Sequence, residues 1–346
     1  MKRRKASIVN KAKKLAQNYI FEELIRDPIT GLLPYRIQAP ERFTIGDAIS
    51  RARLLIFLEE IRHTVLIEER SVFIDFSKTK KMIADGTLLF YAEIHRLIQV
   101  TRPRQLIRCS YPKDKIVEQV LQHVKVFEVL GKRERMVVVH DTVRHWHSQT
   151  GTKHQGEKIE AIRKFYEGNI TEDQDPSKLY NGISEAMTNC RHAYPDPESL
   201  QLWGVEGDAR WWMFSHEFKG VLWVTMYDLG IGIPASLVSG RKWSVEQLKR
   251  WLSNLGLGST DGNLINIAFQ QGSSVTNEAY RGKGLPEVQE VLRQHGRGIL
   301  RVYSGRGYYQ YNAETGLVQS GDFIQPICGT MISWNIPVQD QVIKSE

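Results

Sequence analysis

The chain has 346 residues, of which 41% are hydrophobic and 25% charged, with a formal net charge of +8. That is enough apolar material for two or three folded domains. No apolar run reaches the roughly 18 residues of a membrane helix, and the N-terminal stretch lacks the apolar core of a secretion signal.

Most of the charge sits at one end. Lys2, Arg3, Arg4, Lys5, Lys11, Lys13 and Lys14 face no acid in the same stretch, so the chain is a near-neutral body with a basic arm. Such an arm serves either to touch nucleic acid or an anionic surface, or simply to keep a terminus solvated. Cys109, Cys190 and Cys328 lie far apart without CxxC spacing. That favours free thiols in a reducing compartment over disulfides or zinc, and a cytoplasmic protein is expected.

In chain order, the basic arm runs into a helix with Leu15, Tyr19, Ile20, Leu24 and Ile25 as its stripe. "DPITGLLP" is a break. "TIGDAISRARLLIFLEEIRHT" reads as a helix with Thr44 or Asp47 near its start. Then come "SVFIDFS" as a strand, "ADGTLLFYAEIHRLIQV" as a helix, "RQLIRCSYP" as a strand and "KDKIVEQVLQHVKVFEVLGK" as a helix closed by Gly131. Alternating strand and helix is the rhythm of a parallel α/β unit. "ERMVVVHDTV" is expected to add a strand, and the polar "HSQTGTKHQGEK" is the best linker. His145 and His147 share a face of that region and make a candidate metal pair, with His140, His154 and Asp141 nearby.

The second half opens with a helix near 158–166, then "LYNGISEAMTNCRHAY". There Ile183, Met187, Cys190 and Tyr194 recur as an apolar stripe, and Glu185, Asn189 and His192 fall on the opposite side. By spacing alone the polar row is either a solvated surface or a set of groups aimed at a ligand. "ARWWMFSHEF" and "GVLWVTMYDLG", joined by "KG", form a hairpin. "RGKGLPEVQEVLRQHG" is a helix closed by Gly296, and "GILRVYSGRGYYQYN" and "CGTMISWNIP" are the last strands. Tyr308, Tyr309 and Tyr311 are expected to be mainly structural.

Three further stretches bear on Glu185 and Asn189. In "MYDLGIGIP" an acid at a strand end, Asp228, is followed by Gly230 and Gly232, which allow a sharp turn beside a ligand. In "RGKGLPEV" two glycines open a helix whose free N–H groups suit a phosphate chain. In "CGTMISW" a Gly–Thr pair enters a late strand. Taken in order over about 158–338, these resemble the GHKL (Bergerat-fold) ATPase superfamily of gyrase, MutL, histidine kinases and anti-sigma kinases. The resemblance implies ATP and Mg²⁺ as ligands. Asn189 would hold the metal, and Glu185 would orient or deprotonate the nucleophile. Asp228 would accept from the adenine amino group, with Gly230 and Gly232 beside the base and Thr330 assisting. Gly282, Gly284 and Leu285 would wrap the triphosphate, with Arg281 or Lys283 as charge partners. His192 departs from the usual spacing, and the segment between the two glycine boxes would be the nucleotide lid.

In the first half, "SVFIDFSKTKKMIADGTLLFYAEIHRL" resembles the STAS domain of anti-sigma-factor antagonists, with Asp75 and Ser77 at the strand end. Asp85 precedes Gly86 where that family carries a phosphorylatable residue, which leaves Thr87 as the neighbouring candidate. The expected fold class is therefore α/β. A basic arm and helix would occupy 1–40, a STAS-like α/β domain 41–147, and a GHKL-type α/β sandwich 148–346, with a mixed sheet and helices on one face. The expected function is an ATPase working as a nucleotide-driven switch coupled to a regulatory domain, with a homodimer or protein partner and no membrane. The alternatives are a serine/threonine kinase of the anti-sigma type, or a non-hydrolysing module that binds protein or nucleic acid.

Overall fold

The structure is a computed structural model that describes residues 25–27, 30–140, 143, 146–152, 160–168, 175, 177–193, 210–239, 253, 256, 258–271 and 284–338. The basic arm and its expected helix lie outside the described residues. The fold is mixed α/β, and the chain divides into two compact units, Met1–Val143 and Arg144–Glu346. No described helix is long and apolar enough to cross a membrane.

The first unit runs β1 (Tyr35–Gln38), β2 (Arg42–Phe43), α1 (Ala48–Leu66), β3 (Val72–Asp75), β4 (Lys81–Met82), α2 (Ala84–Thr101), β5 (Ile107–Cys109), α3 (Lys115–His123) and α4 (Val126–Val129). β1, β3 and β5 form a parallel sheet in the order β1-β3-β5. α1 starts at Asp47, whose side chain accepts from Ser50 N, satisfying one of the free amides of a first turn. Its Leu54, Phe57, Leu58, Ile61 and Val65 are buried, the helical spacing that packs one face onto a core. Phe43, Phe57, Phe76 and Phe90 meet there with ring centroids 5.2–6.2 Å apart.

Several expectations for this unit need correction. The helix expected through 113–132 is broken between α3 and α4, where Lys125 takes a left-handed φ of 68°. No strand forms at 134–140. The side-chain amides of α3 capture that backbone instead: Gln122 Oε1 accepts from Met136 N at 3.1 Å, and Gln119 Oε1 from Val139 N and His140 N at 2.8 and 2.9 Å. Val137 and Val139 are left 78% and 65% exposed. Thr87 is 0% exposed, so it is closed to a kinase, and Asp85 accepts from Thr44 Oγ1 at 3.1 Å. β1 went unread in the sequence because it follows a turn-rich segment.

The second unit runs β6 (Trp146–Gly151), α5 (Glu160–Glu167), α6 (Ser177–His192), β7 (Trp211–Phe218), β8 (Val221–Asp228), α7 (Gly232–Ser239), α8 (Asp261–Gln271), α9 (Gly284–His295), β9 (Ile299–Asn312) and β10 (Val318–Pro337). The sheet order is β6-β7-β8-β10-β9. β6 begins three residues past the unit boundary and pairs with β7. The boundary expected at 147/148 therefore moves upstream, and residues 148–151 of the expected linker are strand. Residues 153–158 lie outside the described residues.

The β7–β8 hairpin turns at Lys219 and Gly220, both with positive φ, the backbone of a two-residue I′ loop. All described pairings in this sheet are antiparallel, where a mixed sheet was expected. The helical crossover from β8 does return to a strand of the same sense, β9, but β10 lies between the two. Alternate residues of the strands, including Met226, Val302, Ile332 and Trp334, join Ile183, Met187, Ile265, Phe269, Val288 and Val291 of the helices in one core. The helices thus cover one face. Trp334 Nε1 donates to Val288 O at 2.9 Å, and Tyr309 stacks on Phe269 at 4.4 Å while its hydroxyl donates to Gln289. These contacts fasten α8 and α9 to the sheet. Tyr309 and Tyr311 are buried as expected, and Tyr308 packs on Phe323.

Candidate functional site

α6 buries Leu179, Ile183, Ala186, Met187 and Cys190 in the core. Its opposite row does not face bulk water: Glu185 and Asn189 are both half-buried. What covers them is the first turn of α9. A side chain on Gly284 would overlap Glu185 Oε1 and come within 2.8 Å of Asn189 Nδ2, so the helix can approach only because that position has no Cβ. Gly182, one turn back on α6, lets Val291 approach in the same way.

Burial raises the pKa of Glu185, and the nearby Glu287 carboxylate raises it further. Asn189 Nδ2 is buried and has no hydrogen-bond partner among the described residues. A buried orphan of this kind costs about 1–3 kcal/mol, and few are found in folded proteins. Turning the amide by half a circle exchanges its nitrogen and oxygen. The same place therefore suits a donor to an anion or an oxygen ligand to a hard cation.

Asp228 ends β8 and is 5% exposed. Its Oδ1 accepts from Gly230 N at 2.8 Å, and its Oδ2 lies 3.7 Å from the Cys190 thiol. Burial pushes its pKa up to about 7 against the opposing pull of Gly230, Cys190 and the Thr330 backbone. Burial also pushes the Cys190 thiol up, and the Asp228 carboxylate adds to the shift. Thr330 faces Asp228 across β10, and Ser304 faces Thr330 across β9. Gly232 turns the chain into α7 at φ 82°, and a side chain there would strike Ser304 Oγ.

The two groups of residues are fastened together. Cys190 follows Asn189 directly and reaches Asp228. Ile231 N donates to Ala193 O at 2.8 Å, and Gly230 packs against Ala193. The end of α6 is thereby tied to the turn after β8. Glu185, Asn189 and Gly284 form one cluster, and Asp228, Gly230, Gly232 and Thr330 form another. Leu285 is partly buried against the core. Arg281, Gly282 and Lys283 lie outside the described residues, as does the side chain of His192 and most of the expected lid.

Cys190 and Ser304 were missed as site residues. Cys190 was read only as part of the apolar stripe. Ser304 carries no signal of its own, because its place is set by the pairing of β9 with β10. Of the histidine pair, His147 lies in β6, while His145, His154 and Asp141 lie outside the described residues. Among the described residues no group of three or more His, Cys, Asp or Glu side chains is placed to hold a metal ion. A Mg²⁺ that keeps its waters and takes phosphate oxygens needs no such cluster, and the lone Asn189 amide fits that demand. No family model matches the chain, and no curated protein matches it.

Proposed function

We propose that the second unit binds ATP with Mg²⁺ and hydrolyses it slowly, as a GHKL-type switch, and that the first unit, STAS-like in this reading, transmits the change. The observation that carries the proposal is the orphaned, buried amide of Asn189 beside Glu185, under the first turn of the 12-residue helix α9. A helix N-terminus offers free amides and a positive dipole end to phosphate. Asp228, buried without a bonded cation among the described residues, supports an acceptor for the adenine amino group.

In this reading Asn189 holds Mg²⁺, which supplies charge neutralisation for the phosphates. Glu185 is the general base, and its raised pKa brings it nearer the pH at which it would take a proton from water. Closeness of base, amide and helix end is what phosphoryl transfer chiefly requires.

Radiolabelled ATP with the purified full chain tests the reading. Release of inorganic phosphate that stops without Mg²⁺ is the expected result. Label retained on protein would move the activity to a kinase, and neither product would leave at most a binding module.

A further inference from the structure

Ser304 has no exposed surface and makes three hydrogen bonds through its hydroxyl. Ile233 N donates to Oγ at 2.9 Å, Gly329 O lies 2.9 Å away, and Thr330 Oγ1 lies 3.1 Å away. A serine hydroxyl has one proton and two lone pairs. A carbonyl oxygen only accepts, so the Ser304 proton goes to Gly329 O. One lone pair takes the Ile233 amide. The last contact is a hydrogen bond only if Thr330 gives its proton to Ser304.

Thr330 then turns lone pairs alone toward the site. Asp228, its cross-strand neighbour, is an acceptor too when ionised. Across β8, β10 and β9 the row Asp228, Thr330, Ser304 lies on the strand face that the helices cover. Within this row Asp228 and Thr330, both buried, thus present acceptors.

We propose that Ser304 is a specificity-determining positioning residue: by taking the Thr330 proton it makes Thr330 an acceptor, so that Thr330 and Asp228 together favour a 6-amino purine and repel a 6-oxo purine. The inference rests on the nucleotide reading above. It adds that discrimination comes from a residue that need not touch the base. Sites that hydrogen-bond a substrate group reject analogues lacking it, because buried polar groups are left mismatched.

Calorimetric titration of the full chain with ATP and with inosine triphosphate, in Mg²⁺ above the Asp228 pKa, tests it. Wild type is expected to prefer ATP by about a hundredfold. In Ser304→Ala the Thr330 proton is freed to meet an oxo group, and the preference falls about tenfold, chiefly because the inosine nucleotide binds better. Thr330→Val abolishes the dependence, so adding Ser304→Ala to it changes the ratio no further. If Ser304→Ala does not fold, Ser304→Cys replaces it, since a thiol fills similar space and is a poor donor and acceptor; the same fall is expected. An unchanged ratio in the folded Ser304 variant overturns the inference while leaving ATP binding intact. A fall that persists in full on the Thr330→Val background overturns it as well. A wild-type chain that binds neither nucleotide overturns the underlying reading and the inference with it.

Discussion

Two buried carboxylates, one in each unit, sit in opposite company. Burial pushes Glu93 on α2 up, but the guanidiniums of Arg96 and Arg62, at 2.6 and 2.9 Å, outweigh it and hold the carboxyl down to about 2. Asp228 at the end of β8 is as deeply set with no ion pair among the described residues, and it is pushed up to about 7. The first charge is completed by the chain itself. The second has only the Gly230 amide and the Cys190 thiol as partners, and no cation, among the described residues. A buried acid that the fold pairs with cations helps to hold the fold, whereas one left without a cation and pushed up in pKa is a candidate for a functional role.

Removing either partner of a completed pair should unfold, and altering the incomplete one should not. Glu93→Ala removes the buried carboxylate that Arg96 and Arg62 share, though Arg62 keeps Glu59, and is expected to destabilise the first unit by about 3–5 kcal/mol. Denaturant titration followed by hydrogen exchange on α2 measures it, and a loss under about 1 kcal/mol would erase the contrast. Glu185→Ala should lower turnover by about a hundredfold or more while ATP affinity stays near wild type. Turnover equal to wild type would remove Glu185 as the base. Asp228→Asn should weaken ATP binding by about ten- to a hundredfold without lowering the melting temperature, because the amide has no charge to desolvate.

The smallest effect is in pH, where the signs are opposite. The Glu93 contribution is present above its unfolded pKa near 4.5 and is lost as pH falls toward about 2. The Asp228 contribution is full below 3.8 and is lost as pH rises through about 7. Between those limits, hydrogen exchange in β8 should speed up with rising pH, after correction for intrinsic rates, while α2 should hold steady. Near neutral pH, ATP binding should release protons as the adenine amino group stabilises ionised Asp228. Calorimetry in two buffers of different ionisation enthalpy would show a difference that Asp228→Asn removes.

The same contrast governs what the sequence discloses. α1, β3, α2, β5 and the β7–β8 turn were legible because apolar spacing, an Asp cap and a Lys–Gly turn are local signals. The capture of 134–140 by Gln119 and Gln122 was not, because "RMVVV" is strand-like in itself and only a neighbouring helix keeps it from pairing. The break before α4 rests on one left-handed residue, Lys125, that no propensity marks. In the site, Glu185, Asn189 and Asp228 were singled out by the order of the glycine-containing stretches that resembles the GHKL superfamily, not by spacing alone. The resemblance implied that they share one site; the particular contacts were not legible, because Cys190, whose thiol reaches Asp228, looked like core, and Ser304 meets Thr330 only through the register of β9 with β10.

In the proposed reading, α6 and the end of β8 hold an adenine nucleotide and its metal. Calorimetric titration of the full chain with ATP and GTP, each with and without Mg²⁺, tests it most directly. ATP is expected to bind, its affinity to fall when Mg²⁺ is withdrawn, and GTP to bind at least about a hundredfold more weakly. Equal affinity for the two nucleotides, or no heat from ATP in the presence of Mg²⁺, would contradict it.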